Sequence, residues 1–248
     1  MKTILITGCS SGFGLEIAKY FLNRNWKVIA TMRTPSAEVL PKSEHLRIVQ
    51  LDVTDAKSIR SAVEEAGPID VLVNNAGVGM LGPFESTSMD AVRDVFETNT
   101  FGTMAMTQAV LPQFRARRAG LVVNVASSVT LVALPLLPVY TASKAAVVAF
   151  TESLALELKE FNIRVGVVLP GMAPGTAFVT NAHARVAHTF PDDYANTMNS
   201  VLSGFQNYEG SVTHAIDVAE VVWQATQDSS TAFRIPAGAD AIEWFNRI

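Results

Sequence analysis

Short runs of β-branched and other apolar residues alternate with segments of helical period along most of this chain. That alternation restricts the possible folds more than any other feature. Strands are predicted at Thr3–Thr7, Lys27–Thr31, Arg47–Leu51, Val71–Asn74, Leu121–Val125 and Arg164–Leu169. Most are apolar at consecutive positions, as expected of strands covered by helices on both faces. Between them Ile17, Ala18, Phe21 and Leu22 recur at helical spacing, as do Val92, Val95 and Phe96. A third stripe runs through Ala145, Val148, Ala149 and Leu156. Repeated β-α units of this size imply right-handed crossovers and a parallel sheet. The expected fold class is α/β, a doubly wound parallel sheet with helices on both faces. No repeat or Gly/Ser linker interrupts the 248 residues, so one domain over 1–248 is expected.

Composition removes several functional classes. The net charge of −4 disfavours a generic nucleic-acid surface. A single cysteine, Cys9, excludes an intrachain disulfide framework and fits a reducing compartment. With no histidine close to it in sequence, Cys9 reads as a small packing residue. The four histidines and Cys9 offer no metal-ligand spacing, so no metal is expected. The mean hydropathy of +0.25 raises the question of a membrane. The longest uncharged stretch, 25 residues between Arg118 and Lys144, is broken by Asn124, Ser127, Ser128, Thr130, Pro135 and Pro138. It reads as buried rather than spanning. The apolar segment at Ile4–Ile6 is too short for a signal peptide. A cytoplasmic protein is expected.

Chemistry gathers at two places. Between the first predicted strand and helix lies Thr7-Gly8-Cys9-Ser10-Ser11-Gly12-Phe13-Gly14. Glycines there let backbone approach a pyrophosphate, and the following helix N-terminus favours its charge. The spacing is GxxxGxG rather than GxGxxG. Farther on, Tyr140-Thr141-Ala142-Ser143-Lys144 opens a helix and sets Tyr140 and Lys144 on one face. An ammonium about 5 Å from a phenol, at an effective dielectric near 20, favours phenolate by about 3 kcal/mol. That lowers the tyrosine pKa by around two units and suits proton exchange with a carbonyl oxygen. Ser127 stands 13 residues before Tyr140, just past a predicted strand. Asn74-Asn75-Ala76-Gly77 closes another strand, and Asn99 falls within a predicted helix.

Taken together, TGCSSGFG, Asp52-Val53, NNAG, the Asn99 segment, Ser127, Tyr140-Thr-Ala-Ser-Lys144 and Pro170-Gly171 resemble the short-chain dehydrogenases/reductases. The resemblance runs from Thr3 to about Gly171 and is to the compact Rossmann-like branch. TGCSSGFGLEIA, VIATMR and VLVNNAGVGMLGPFE are most like the 17β-hydroxysteroid and retinol dehydrogenase group. The resemblance implies roles residue by residue. Tyr140 is the general acid or base, Ser127 holds the substrate oxygen, Lys144 tunes Tyr140 and holds the nicotinamide ribose, and Asn99 anchors a relay water. It also implies cofactor contacts at Gly8, Ser10, Ser11, Gly12, Phe13, Gly14, Asp52, Val53, Asn75, Ala76, Gly77, Pro170 and Gly171. Asn74 braces the central strand instead. Thr176 falls five residues after Gly171, where the family usually places a threonine at four. Its cofactor contact is therefore either kept by a rearranged loop or lost.

No acid follows the second strand before Glu38, and Arg33 stands where it can pair with a 2′-phosphate, helped by Ser10 or Ser11. NADP(H) is expected, with NAD(H) as the alternative. Thr130–Val139 and Val78–Phe84 are apolar and suit a bulky apolar ketone or secondary alcohol, such as a steroid, retinoid or aryl ketone, unless they pack the core or a subunit contact. The segment 177–210, with a stripe of Tyr194, Met198, Val201, Leu202 and Phe205, reads either as a substrate lid or as a helix packed on the core or another subunit. A rival enzyme is a β-ketoacyl reductase docking an acidic carrier protein on Arg115, Arg117 and Arg118. A rival of another class is an NADP(H)-sensing protein without turnover. The resemblance implies a homodimer or homotetramer built on helices beginning near Thr100 and Tyr140.

Overall fold

The computed structural model describes residues 1–176 and 191–247. Seven parallel strands form one sheet: β1 (Thr3–Ile6), β2 (Lys27–Met32), β3 (Leu46–Gln50), β4 (Val71–Asn74), β5 (Gly120–Val125), β6 (Ile163–Pro170) and β7 (Arg234–Ala237), in the order β3-β2-β1-β4-β5-β6-β7. The helices are α1 (Gly12–Leu22), α2 (Ala56–Ala66), α3 (Met89–Phe96), α4 (Gly102–Arg117), α5 (Pro138–Leu158), α6 (Ala195–Gln206), α7 (Ala215–Gln227) and α8 (Ala239–Phe245).

The consecutive apolar residues of each strand divide between two cores because side chains alternate across a sheet. Ile4, Ile6, Val28, Ala30, Val71, Val73 and Val123 face the side carrying α1 and α7. Leu5, Ile29, Leu72 and Val122 face the side carrying α2, α4 and α5. Strand order reverses at β1, which pairs with β2 on one flank and β4 on the other. At such a reversal the crossovers leave in opposite directions and open a crevice at the carboxyl ends of the strands. The Gly8 turn and the Asn75–Gly77 segment both leave from that point.

Six strands fall within a residue or two of their expected bounds, and β7 was not anticipated. It is four residues long, contains Pro236 and occupies an edge, where proline is tolerated because one side of the strand has no partner. The expected stripe on α5 is also corrected. Val148 is buried, but Ala145 and Ala149 are exposed and Leu156 is 78% exposed. The buried face instead carries Ser143, Lys144, Val147, Thr151, Leu154 and Leu158. A helix that is apolar on two faces and places hydroxyls and an ammonium inward cannot be oriented from hydrophobic period alone. Among the described residues, no helix is long and apolar enough to cross a membrane.

Candidate active site

A cavity of about 700 Å³ opens at the reversal point. Gly8, Ser10, Ser11, Gly12 and Phe13 line it at the start of α1, Arg33 at the end of β2, and Asp52 and Val53 after β3. Asn75, Ala76 and Gly77 line it after β4, with Thr176 across from them. Gly8 sits at φ +75, a conformation that costs other residues strain, and this lets the chain leave β1 sharply. Thr7, to which the sequence assigned no role of its own, fixes the two loops together. Its hydroxyl oxygen accepts from the N–H groups of Asn75 and Ala76 at 3.0 and 2.9 Å. The Asn75 amide donates to the carbonyls of Thr7 and Gly8 at 2.8 and 3.1 Å, so its side chain is committed to bracing the glycine turn. Asn74 braces the sheet as expected, donating to Thr107 Oγ1 at 2.9 Å and Asn124 Oδ1 at 2.8 Å. Thr54 donates to Asp52 Oδ1 from its N–H and its hydroxyl, holding the Asp52 carboxyl below the usual carboxylate range.

Some expected cofactor residues do not line the cavity. Gly14 lies beneath the turn, where a side chain would strike the Gly8 carbonyl. Gly171 is packed against Asp240, and Pro170 is the last residue of β6. Tyr140 and Lys144 are also absent from the lining, because they stand in the buried layer behind Gly77. Asp94, Glu97 and Thr98 line the cavity without having been anticipated, since they lie in a helical segment whose facing depends on the fold.

The buried layer brings Asn99, Ser127, Tyr140 and Lys144 to one region. A Cβ on Gly77 would stand 3.2 Å from Asn99 Oδ1 and 3.3 Å from Lys144 Nζ, so a glycine separates both groups from the cavity. Asn99 lies in a helical segment as expected, within the π-helical turn Glu97–Phe101 between α3 and α4. Such a turn inserts a residue into the helical ladder and re-aims a side chain. Asn99 donates to the Val78 carbonyl and to Ser143 Oγ at 2.9 and 3.0 Å and accepts from the Val78 N–H at 2.8 Å. Ser127 caps the short turn Ser128–Thr130 and hydrogen-bonds the Tyr140 hydroxyl. Lys144 donates to the Val125 carbonyl at 2.9 Å.

Electrostatics in this layer differ from the expectation of a lowered tyrosine pKa. Burial pushes Tyr140 up to about 12, only partly offset by the Ser127 hydrogen bond. Burial also pushes Lys144 down to about 8. Desolvation penalises both charged forms and is the largest cause of each shift. Cys9 is fully buried and raised to about 12 by the same cause, which leaves it a packing thiol. Among the described residues, no group of three His, Cys, Asp or Glu is arranged to hold a metal.

The two apolar segments flanking this layer meet each other. Leu81, Val129, Leu136 and Leu137 pack with Tyr140 and with Met198 of α6, and Val201 and Leu202 lie against them. The Gly82 N–H donates to the Leu136 carbonyl at 2.8 Å. Tyr194, just before α6, donates to Glu85 Oε2 at 2.9 Å. Phe205 is exposed, so the expected stripe is buried only in part. Residues 177–190 of the expected lid lie outside the described residues.

A parallel doubly wound sheet with this constellation at its reversal point is the frame of an oxidoreductase family. The family model described as short chain dehydrogenase matches residues 2–186, and the chain belongs to that family. It is 42% identical to retinol dehydrogenase 8 of Bos taurus over 184 residues, covering 68% of this chain and 58% of that one. The chain thus matches less than two thirds of the length of that relative. It is 34% identical to 3-ketodihydrosphingosine reductase of Bacteroides thetaiotaomicron, covering 96% of this chain and 88% of that one. Against 17-beta-hydroxysteroid dehydrogenase type 1 of Mus musculus the identity is 36%, covering 95% and 71%. Among solved structures, a short-chain dehydrogenase from Streptomyces avermitilis superposes with TM-score 0.85 at 31% identity, covering 99% of this chain and 91% of that one. A short chain dehydrogenase from Burkholderia cenocepacia in complex with NADP gives 0.79 at 27%, covering 99% and 93%. A 3-ketoacyl-(acyl-carrier-protein) reductase from Brucella melitensis complexed with NADH gives 0.78 at 26%, covering 97% and 98%.

Proposed function

We propose that this chain is an NADP(H)-preferring oxidoreductase that interconverts a bulky apolar ketone and its secondary alcohol, with Tyr140 as general acid or base. The observation that carries this reading is the environment of Tyr140. Its hydroxyl is hydrogen-bonded by Ser127 while its ring is packed among Leu81, Val129, Leu136, Leu137 and Met198. A proton donor at the edge of an apolar wall suits a substrate that is a single carbonyl on a hydrophobic body.

The cavity fits an elongated phosphate-bearing dinucleotide. N–H groups at the start of α1 would take the pyrophosphate, and a Ser10 or Ser11 hydroxyl would assist Arg33. Asp52 and Val53 would take the adenine, and Arg33 a 2′-phosphate. Behind Gly77, Lys144 would hold the ribose hydroxyls. Thr176, reached through the Pro170-Gly171 turn after β6, would stand at the nicotinamide end. When bound, the nicotinamide supplies or accepts the hydride. The chain's own residues handle the proton. With a pKa raised to about 12, Tyr140 is a neutral phenol at neutral pH and can give its proton to a carbonyl oxygen held by Ser127. Asn99, in this reading, would anchor a water joining Lys144 to solvent. In this reading the chain is one cofactor-binding and catalytic unit, and α6 forms the described part of a substrate lid.

The test compares oxidation of NADPH and NADH with a panel of apolar ketones, using the wild type and Tyr140→Phe. Turnover of bulky ketones with NADPH, lost in Tyr140→Phe while cofactor binding persists, supports the assignment and rejects a sensor without turnover. Cofactor binding with no turnover of any panel member counts against the apolar-ketone reading.

The Brucella relative keeps a carrier-bound ketoacyl substrate as the second reading. Its expected docking arginines are poorly placed. They end α4, whose 16 residues span about 24 Å from the site end of the sheet. Arg117 is engaged with the Ile69 carbonyl and Arg118 with the Glu160 carbonyl. Salt-sensitive turnover of carrier-bound substrate exceeding that of free ketones would restore it.

A further inference from the structure

We infer that Thr213 and Asp240, near the end of the chain, are positioning residues that set the turn after β6 and through it the nicotinamide end of the cavity. The inference rests on the proposal that the cavity holds a nicotinamide dinucleotide with Thr176 at that end.

The geometry converges on two consecutive residues, Gly171 and Met172, where the chain leaves β6. The Gly171 N–H donates to Thr213 Oγ1 at 2.9 Å. The Met172 N–H donates to Asp240 Oδ2 at 2.6 Å. The Met172 carbonyl accepts from the Thr213 N–H at 2.8 Å. The Thr213 hydroxyl has two acceptors for its one proton, Asp240 Oδ1 at 2.7 Å and the Ala237 carbonyl at 2.9 Å. Two side chains from late in the chain therefore satisfy the backbone of a turn that lies 42 and 68 residues earlier. Both are almost fully buried, Asp240 at 1% exposure and Thr213 at 2%.

Gly171 is required by this arrangement, because a side chain there would occupy the place of the Asp240 carboxylate. A buried carboxylate is costly unless donors surround it, and an apolar residue would fill the space more cheaply. Accepting at once from the Met172 N–H and the Thr213 hydroxyl is a task an apolar side chain cannot perform. The consequence reaches the cavity within four residues. From Met172 the chain closes a tight turn, with the Thr176 N–H and hydroxyl both on the Ala173 carbonyl at 3.2 and 2.9 Å. Thr176 then faces the glycine turn, its Cβ lying 3.6 Å from where a Cβ on Gly12 would be. The Thr213–Asp240 anchor thus fixes the width of the cavity at the Thr176 end.

The test measures the dissociation constants of NADPH and of 2′-phospho-ADP-ribose, which lacks the nicotinamide, for the wild type, Thr213→Val, Thr213→Ser and Asp240→Asn. Thr213→Val removes both the acceptor for the Gly171 N–H and the donor to Asp240, and Asp240→Asn disturbs the pairing with Thr213 and Met172. Each should weaken NADPH binding about 5- to 30-fold. Affinity for the fragment should stay within about twofold. Thr213→Ser keeps the hydroxyl and should restore NADPH affinity. Equal loss of both probes with a lowered melting temperature marks a merely structural role and overturns the inference, as does no loss of either. Should the wild type bind NADPH no more tightly than the fragment, it is the underlying placement of the nicotinamide that fails.

Discussion

The ammonium of Lys144 lies 2.9 Å from the carbonyl oxygen of Val125, tying the second turn of the long helix α5 to the end of β5. That bond holds the ammonium in the buried layer that also contains Tyr140, and burial shifts the ionisation of both residues.

Burying Lys144 costs stability in a pH-dependent way. Folding lowers its pKa from 10.5 to about 8, so below pH 8 the folded state carries a buried charge that the unfolded chain solvates. Between pH 8 and 10.5 the unfolded chain binds a proton that the folded chain releases, and stability should rise with pH. Lys144→Met should be more stable than wild type at pH 7 by on the order of 3 kcal/mol, with the gap closing towards about pH 10. Denaturant melts at about pH 7, 8.5 and 10 measure this. A less stable variant at neutral pH would contradict it.

The pH dependence of catalysis follows from the same pair. In the proposed mechanism reduction needs Tyr140 protonated, and a pKa pushed up to about 12 keeps it so across the working range. The cation at Lys144 fades as pH rises through about 8. The kcat/KM for ketone reduction should be level at neutral pH and fall above about 8, while alcohol oxidation, which starts from the phenolate, should rise with pH. Initial rates in both directions from about pH 6 to about pH 10 check the opposite slopes.

In the proposed reading Arg33 carries the cofactor choice. Arg33→Ala should weaken NADPH binding by about 10- to 100-fold, the value of a charge-assisted hydrogen bond, and leave NADH nearly unchanged. Titration of both cofactors by fluorescence decides it, and an unchanged NADPH affinity removes Arg33 from the site.

The outward face of α5 predicts self-association. Ala142, Ala145, Ala149 and Leu156 are exposed at helical spacing, and Phe101 is half exposed just before α4. Covering such a stripe with a second copy removes it from water. Light scattering should find a dimer or tetramer for wild type and a smaller species for Leu156→Glu. A wild-type monomer would refute the expectation.

Residues that act locally are legible in the sequence. The glycine turn, Arg33 and the helical pair Tyr140 and Lys144 follow from short-range rules of turn, strand end and helix face, while Asp52 came only with the family resemblance. Residues whose role depends on distant chain are not legible in that way. The commitment of Asn75 to the Gly8 turn spans 67 residues, and Thr213 and Asp240 reach back to the turn after β6. The inward face of α5 defeats a reading by hydrophobic period, because a serine, a lysine and a threonine point inward while alanines and a leucine point out.

The sequence by itself determined the alternation of strands and helices and the residue types at the strand ends, while the strand order and its reversal at β1 came with the structure. Periodicity and backbone sterics act over a few residues, and those patterns are written locally. Only the tertiary structure decided how those residues ionise. Whether Lys144 lowers the Tyr140 pKa depends on the competition between attraction and desolvation, and desolvation is set by what packs around the pair. Here that packing comes from Leu81, Leu136 and Met198, brought in from three separate parts of the chain.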